Sequence, residues 1–153
     1  MFEYLMPLLV LKSYPDTLLD ASCRMAVRRQ IEYAAERGVP WGISESAYNV
    51  VDRLDNYQYK AFGVPGLGLK RGLGDELVVA PYATALATMI DPPAAVANLR
   101  RLAAEGLAGA YGYYESIDYT RGPAEDICSI AARRPFTSAS RAGRTSSRGA
   151  DCA

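Results

Sequence analysis

Between residues 17 and 37 apolar side chains recur at Leu19, Cys23, Val27, Ile31 and Ala34, while Arg24, Arg28, Glu32 and Glu36 fall on the opposite side. That spacing is the period of an α-helix with one buried face. Asp16, after Pro15, stands where an N-cap belongs, and Gly38 with Pro40 ends the element. A second helix is predicted over residues 92–105. Asp91 is its cap and Pro92 its first residue; Ala95, Val96, Leu99, Leu102 and Ala103 face the core, and Gly106 stops it. Residues 81–90 read as a further helix, with Tyr82, Leu86, Met89 and Ile90 available for burial, and residues 1–12 as another, kinked at Pro7. No run alternates convincingly with a period of two, and only Glu76–Val79 reads as a short extended piece. Such a pattern predicts an all-α chain.

The chemistry open to this chain is narrowed by a missing residue type. Among 153 residues there is no histidine, which excludes Ser-His-Asp and Cys-His catalysis and any metal site needing an imidazole. Acid-base work is left to carboxylates, Tyr, Lys or a thiol. Cys23, Cys128 and Cys152 are odd in number and widely spaced, which suits neither a disulfide framework nor a zinc knuckle. No metal and no organic cofactor is expected. The 17 basic residues are balanced by 17 acidic ones, so the surplus of positive charge on which a nucleic-acid binder relies is absent. The apolar run Leu5–Leu11 is interrupted by Pro7 and falls well short of the roughly 20 residues that span a bilayer. It also lacks the basic start of a signal peptide. The reading is a cytoplasmic chain with no membrane insertion and no nucleic-acid partner.

Composition breaks near residue 120. Residues 1–120 carry 11 basic against 14 acidic residues, all 11 tyrosines and the single tryptophan. Residues 121–153 carry six arginines against three acids, and from Thr137 to Arg148 are mostly Ser, Thr, Ala, Gly and Arg. A stretch of that kind cannot bury enough apolar surface to offset its ordering entropy, so 121–153 is expected to be a disordered basic tail behind a domain of 1–120.

Unusual residues concentrate in the loops. Gly66, Gly68 and Gly72 give G-x-G-x-x-x-G, one residue too long for the dinucleotide fingerprint, and Lys70 is followed by Arg71 rather than Ser or Thr, so the phosphate-loop pattern fails as well. The loops 38–48 and 109–120 each set a glutamate among aromatics: Glu45 in Trp41-Gly42-Ile43-Ser44-Glu45-Ser46 and Glu115 in Tyr113-Tyr114-Glu115-Ser116. Glycoside cleavage needs an acid at the leaving oxygen and a base or nucleophile opposite, and carboxylates serve as both. Tyrosine and tryptophan faces suit the apolar side of a sugar ring. The competing reading makes Glu45 a helix cap and pairs Glu115 with a nearby arginine.

The segments FEYLMP (2–7), WGISESAYN (41–49), YQYKAFGVPGLGLKRGL (57–73), VVAPYATALA (78–87) and YGYYESIDYT (111–120) resemble, in this order, the glucoamylase-like domain of cyclic β-1,2-glucan synthases and related β-1,2-glucanases. The resemblance implies an (α/α)6 toroid, of which this chain is a fragment. It implies a β-1,2-linked glucan substrate and carboxylate-mediated cleavage of a glucosidic bond, by transglycosylation or endo-hydrolysis. Glu45 and Glu115 become the catalytic candidates, with the proton donor and the stereochemical outcome left open. Trp41, Tyr48, Tyr57, Tyr59, Arg71, Tyr82 and Tyr114 become candidates for lining subsites. It also implies a parent polypeptide at the bacterial inner membrane that supplies the missing parts of the domain. On this reading the last 33 residues are out of register, as after a frameshift or a truncated gene. Two alternatives stand beside the enzyme: a non-catalytic carbohydrate-binding remnant and an inactive gene fragment.

Overall fold

The computed structural model describes residues 1–54, 56–120 and 126–128. It corrects the all-α expectation. Among the described residues, helices are interleaved with seven short strands in three antiparallel sheets, so the structure is mixed α and β and not an all-α piece of a toroid.

The helices lie close to where the periodicity places them. Helix α1 (Phe2–Leu5) passes at Met6 into a 3-10 turn to Leu9, with Pro7 near its start. Helix α2 (Leu18–Arg37) is capped by Thr17, whose Oγ1 accepts from the Asp20 amide, and not by Asp16, which sits at φ +62°. It ends on Gly38 in the left-handed region. Its buried stripe is wider than the apolar pattern, because Gln30 and Tyr33 are buried beside Cys23, Ala26, Val27 and Ala34. Helix α3 (Pro81–Leu86) continues as a 3-10 turn to Met89. Helix α4 (Pro92–Leu102) is capped by Asp91, which accepts from the Ala94 amide, and the chain unwinds through Gly106 at φ +93°. Val96, expected inside, is 40% exposed; Asn98 takes the buried place because it has backbone partners to satisfy.

Strand pairing is what periodicity missed. β1 (Ser46–Val51) and β2 (Tyr57–Lys60) form a hairpin with an irregular register between Ala47 and Val51. Its turn is held by Asp52, whose Oδ1 accepts from the Leu54 and Asn56 amides at 2.8 and 3.0 Å. β3 (Val78–Val79) and β6 (Ser116–Asp118) pair antiparallel, as do β4 (Ala108–Gly109) and β5 (Gly112–Tyr113). β7 (Asp126–Cys128) adds to the free side of β6, beyond the compositional break at 120. The expected disorder of the tail falls otherwise on 121–125 and 129–153, which lie outside the described residues.

Two apolar clusters hold these pieces. One joins Tyr33, Ile43, Phe62, Val64, Leu77–Val79, Leu102, Leu107 and Ile117, setting the sheet against α2 and α4. The other packs Leu5, Cys23, Val27, Ala34, Trp41, Ala83, Ala87 and Ala95, with small alanines allowing close approach of α3 to α4. Each large side chain fully buried in this way contributes about 1.5–3 kcal/mol. Both clusters abut the loop Trp41–Ser46.

Candidate active site

That loop is clamped through its backbone. Gln30, fully buried on α2, donates Nε2 to the Ile43 carbonyl at 2.7 Å, and its Oε1 accepts from the Ile43 and Gly42 amides. Asn98 on α4 accepts from the Trp41 amide and donates to the Trp41 carbonyl at 2.7 Å. Thr84 on α3 donates to that same carbonyl at 3.0 Å and accepts from Asn98 at 2.9 Å. These three polar residues are buried because they replace the water that an irregular loop in the core would need. Further along, Ser44 Oγ accepts from the Phe2 amide, and the Tyr82 hydroxyl lies 2.9 Å from both Ser44 Oγ and the Glu45 carbonyl. A phenol has one proton and a carbonyl only accepts, so Tyr82 donates to Glu45 and Ser44 supplies the other bond.

The clamp leaves the Glu45 side chain half-buried on a cavity of about 340 Å³. Glu3, Tyr4, Phe62, Leu67 and Lys70 share its lining. Tyr4 donates to the Leu67 carbonyl at 2.9 Å, tying α1 to the glycine-rich segment, and Lys70 Nζ donates back to the Ala61 carbonyl. Glu3 is thus a second carboxylate in this cavity, and nothing in its local sequence marks it.

Glu115 lines a different cavity, of about 240 Å³, with Tyr82, Ala85, Leu99, Tyr113 and Tyr114. Tyr113 donates its hydroxyl to the Leu99 carbonyl at 2.9 Å. Tyr114 lies over Gly109, where an added Cβ would come within 2.9–3.0 Å of the phenol ring and hydroxyl. Tyr82 separates the two cavities: its hydroxyl reaches the Glu45 loop and its ring lines the Glu115 side. Its phenol is pushed up to about 12, chiefly by burial, against a lowering by the Ser44 hydrogen bond, and further by Tyr59, Glu45 and Glu115. The Tyr59 phenol is also raised, first by partial desolvation and then by Glu45 and Glu115, although its ring is 64% exposed. Both carboxylates therefore act on the same pair of tyrosine hydroxyls. Glu45 caps no helix, and Glu115 has no arginine partner among the described residues.

The other candidates are spread more widely. Trp41 is 7% exposed in the second cluster, so its indole lines neither cavity. Tyr48 packs edge-on against Phe62, ring centres 5.2 Å apart, and supports the cavity floor from the core side. Tyr57 opens β2 opposite Val51, and Arg71 is exposed on the turn after Lys70, outside both linings. Gln30, Thr84, Asn98 and Glu3 were not anticipated. The signal that could have found the first and third is a polar residue on an otherwise buried helix stripe.

The order of these loops matches a known class. The chain belongs to the Glycoamylase family ("Putative glucoamylase"), which it matches over residues 1–137, past the compositional break at 120, and so to a carbohydrate-active group. It is also 49% identical over 132 residues, 85% of its length, to cyclic beta-(1,2)-glucan synthase NdvB of Rhizobium meliloti (strain 1021). It spans about 5% of the length of that relative. Among the described residues no helix is long and apolar enough to cross a membrane.

Proposed function

We propose that this chain is part of a domain acting on β-1,2-linked glucan, in which Glu45 and Glu115 carry the acid-base chemistry of glucosidic cleavage and transfer. The observation that supports it best is the clamped loop, in which Gln30, Thr84, Asn98 and Tyr82 occupy the backbone and leave the Glu45 carboxylate on the cavity, beside Glu3. A rigid scaffold presenting a carboxylate beside tyrosines is what protonation of a glycosidic oxygen requires. Tyr59, Tyr82 and Tyr114 would meet the sugar, and Trp41 and Tyr48 would act from beneath by holding the loop and floor. Whether sugar or water is the acceptor depends on subsites that the rest of the parent polypeptide would supply. That parent would work on the cytoplasmic side of the inner membrane, and this chain needs no cofactor for the chemistry assigned to it.

One observation favours a second reading. Because Glu45 and Glu115 line separate cavities, the chain taken alone fits a carbohydrate binder without turnover. Glu45→Gln in the parent enzyme separates the two. Turnover of linear β-1,2-glucan should fall by about 10²–10⁴-fold with an unchanged melting profile. Undiminished turnover would end the catalytic assignment, while retained oligosaccharide binding by the chain itself would support the binder.

A further inference from the structure

We infer that the exposed stretch from Leu9 to Leu18, with Met25 beyond it, is a two-fold docking surface that a second copy of this chain covers. It is independent of the glucan reading. Leu9, Val10, Leu11, Tyr14 and Leu18 are 57–85% exposed, and Met25, two turns on from Leu18 along the same side of α2, is 60% exposed. Exposed apolar residues are ordinary when they stand singly, but these fall in one short span. At those exposures the six offer on the order of 800 Å², about what each partner contributes to a standard interface and more than a monomer usually leaves in one patch. The surface is also held in place. Cys23 Sγ donates to the Tyr4 carbonyl at 3.2 Å, fixing α1 on α2 above the buried Leu5. The Leu11 amide donates to the Pro7 carbonyl at 2.8 Å, and Thr17 Oγ1 to the Tyr14 carbonyl at 2.8 Å. A surface ordered before binding loses less entropy on association.

The charges and the order of residues select the occupant. None of the six lines either cavity described above, so this is a surface for a macromolecule. A lipid surface is favoured by a surplus of basic residues, and this stretch has none. Arg24 is paired with Asp20 at 2.9 Å, with Asp16 adding to its field from further off, and Lys12 is the other cation. What favours a second copy is the arrangement about Tyr14. A two-fold axis there sets Val10 of each copy against Leu18 of the other, Lys12 against Asp16, and the two Tyr14 rings together. Lys12 and Asp16 hold no hydrogen bond or ion pair among the described residues; Lys12 lies over the Tyr14 ring, 5.2 Å from its centre. An isologous interface must be complementary to itself, and this stretch is so at both its apolar and its charged positions. Such an interface closes at two copies.

Sedimentation equilibrium of the full chain tests it. A monomer–dimer equilibrium is expected, with a dissociation constant at or below about 10 µM. Leu18 is the first residue of α2, where a carboxylate favours the helix, so Leu18→Glu should leave the melting curve unchanged while weakening the dimer at least about tenfold. Val10→Glu should do the same from outside the helices, and it decides if Leu18→Glu does not fold. Lys12→Glu sets two carboxylates against each other across the axis. It should weaken the dimer about tenfold at low salt and regain most of that loss in roughly 0.5 M salt, as screening requires. A chain that stays monomeric at about 100 µM needs some other cover, such as another part of a longer polypeptide, and overturns the proposal. A dimer indifferent to Leu18→Glu and Val10→Glu overturns it too, as does open-ended assembly. Binding to phosphatidylserine vesicles without a dimer overturns it in favour of a lipid surface.

Discussion

Gly42 is where the clamp of the site loop leaves least room. It sits at φ +118°, a conformation that side chains rarely adopt, and an added Cβ would come to 2.6 Å from Thr84 Oγ1 and 3.2 Å from the Ala80 carbonyl. Gly42→Ala therefore carries two costs. Backbone strain at such an angle is about 1–3 kcal/mol. Thr84 is fully buried and its hydroxyl joins the Trp41 carbonyl to Asn98, so displacing it leaves buried partners unpaired at about 1–3 kcal/mol more. Together the loss is about 2–6 kcal/mol, against a total domain stability of roughly 5–15 kcal/mol. Gly38→Ala is the control. Gly38 is also left-handed, at φ +72°, but nothing lies within 4 Å of its added Cβ, so only the backbone cost of about 1 kcal/mol applies. Urea denaturation of both variants gives the comparison, provided the denaturant slope stays constant. Adding Thr84→Ala to each background should cost less beside Gly42→Ala than alone, because the clash and the hydroxyl bond are the same contact. If Gly42→Ala costs no more than Gly38→Ala, the packing argument for this loop is wrong.

Gln30→Leu keeps the side chain's bulk but strips the Ile43 amide and carbonyl of their partner; a loss of about 2–4 kcal/mol is expected in the same denaturation assay. Alkaline stability follows from Tyr82 and Tyr119. The folded chain holds the Tyr82 proton to about 12 against the ordinary 10.0, and Tyr119 is raised as well, by burial first and then by its hydrogen bond to Glu105. Above pH 10 the unfolded chain thus binds fewer protons than the folded one, so the stabilisation is complete below pH 10 and is lost as pH rises toward 12. Tyrosine absorbance near the unfolding midpoint should show late-ionising groups whose release coincides with loss of the circular dichroism signal, and a single titration at pH 10 with the fold intact would contradict it. Tyr82→Phe should remove one late group and soften the alkaline transition, with about 0.5–1.5 kcal/mol of stability lost at neutral pH.

Much of the helical skeleton was legible from residues alone. Asp91 and Pro92 start α4, Gly38 ends α2, and Cys23, Val27 and Ala34 are buried as their spacing requires. The hairpin β1–β2 was not, although Tyr48, Val50, Tyr57 and Tyr59 are good strand residues, because both segments are short and stand among glycine-rich loops. The cap of α2 moved by one residue, from Asp16 to Thr17, since both types can cap and only the path of the incoming chain selects one. Glu45 and Glu115 stand out by chemistry and loop order, whereas Trp41, expected among the subsite-lining residues, has its indole packed in the core.

By itself, then, the sequence determined the helices and their ends, the absence of imidazole chemistry, and the two glutamates set among aromatics. Each is a local property, written within a few residues by period, capping or residue type. Only the tertiary structure decided that short strands break the all-α pattern, that Gln30, Thr84 and Asn98 hold the site loop, that Glu3 joins Glu45, and that Tyr82 stands between Glu45 and Glu115. Those outcomes depend on pairing between residues up to 69 positions apart, as between Ser116 and Ala47. Contacts of that span arise from packing, in which each buried polar group must find a partner, and no short window of residues specifies which partner it will be.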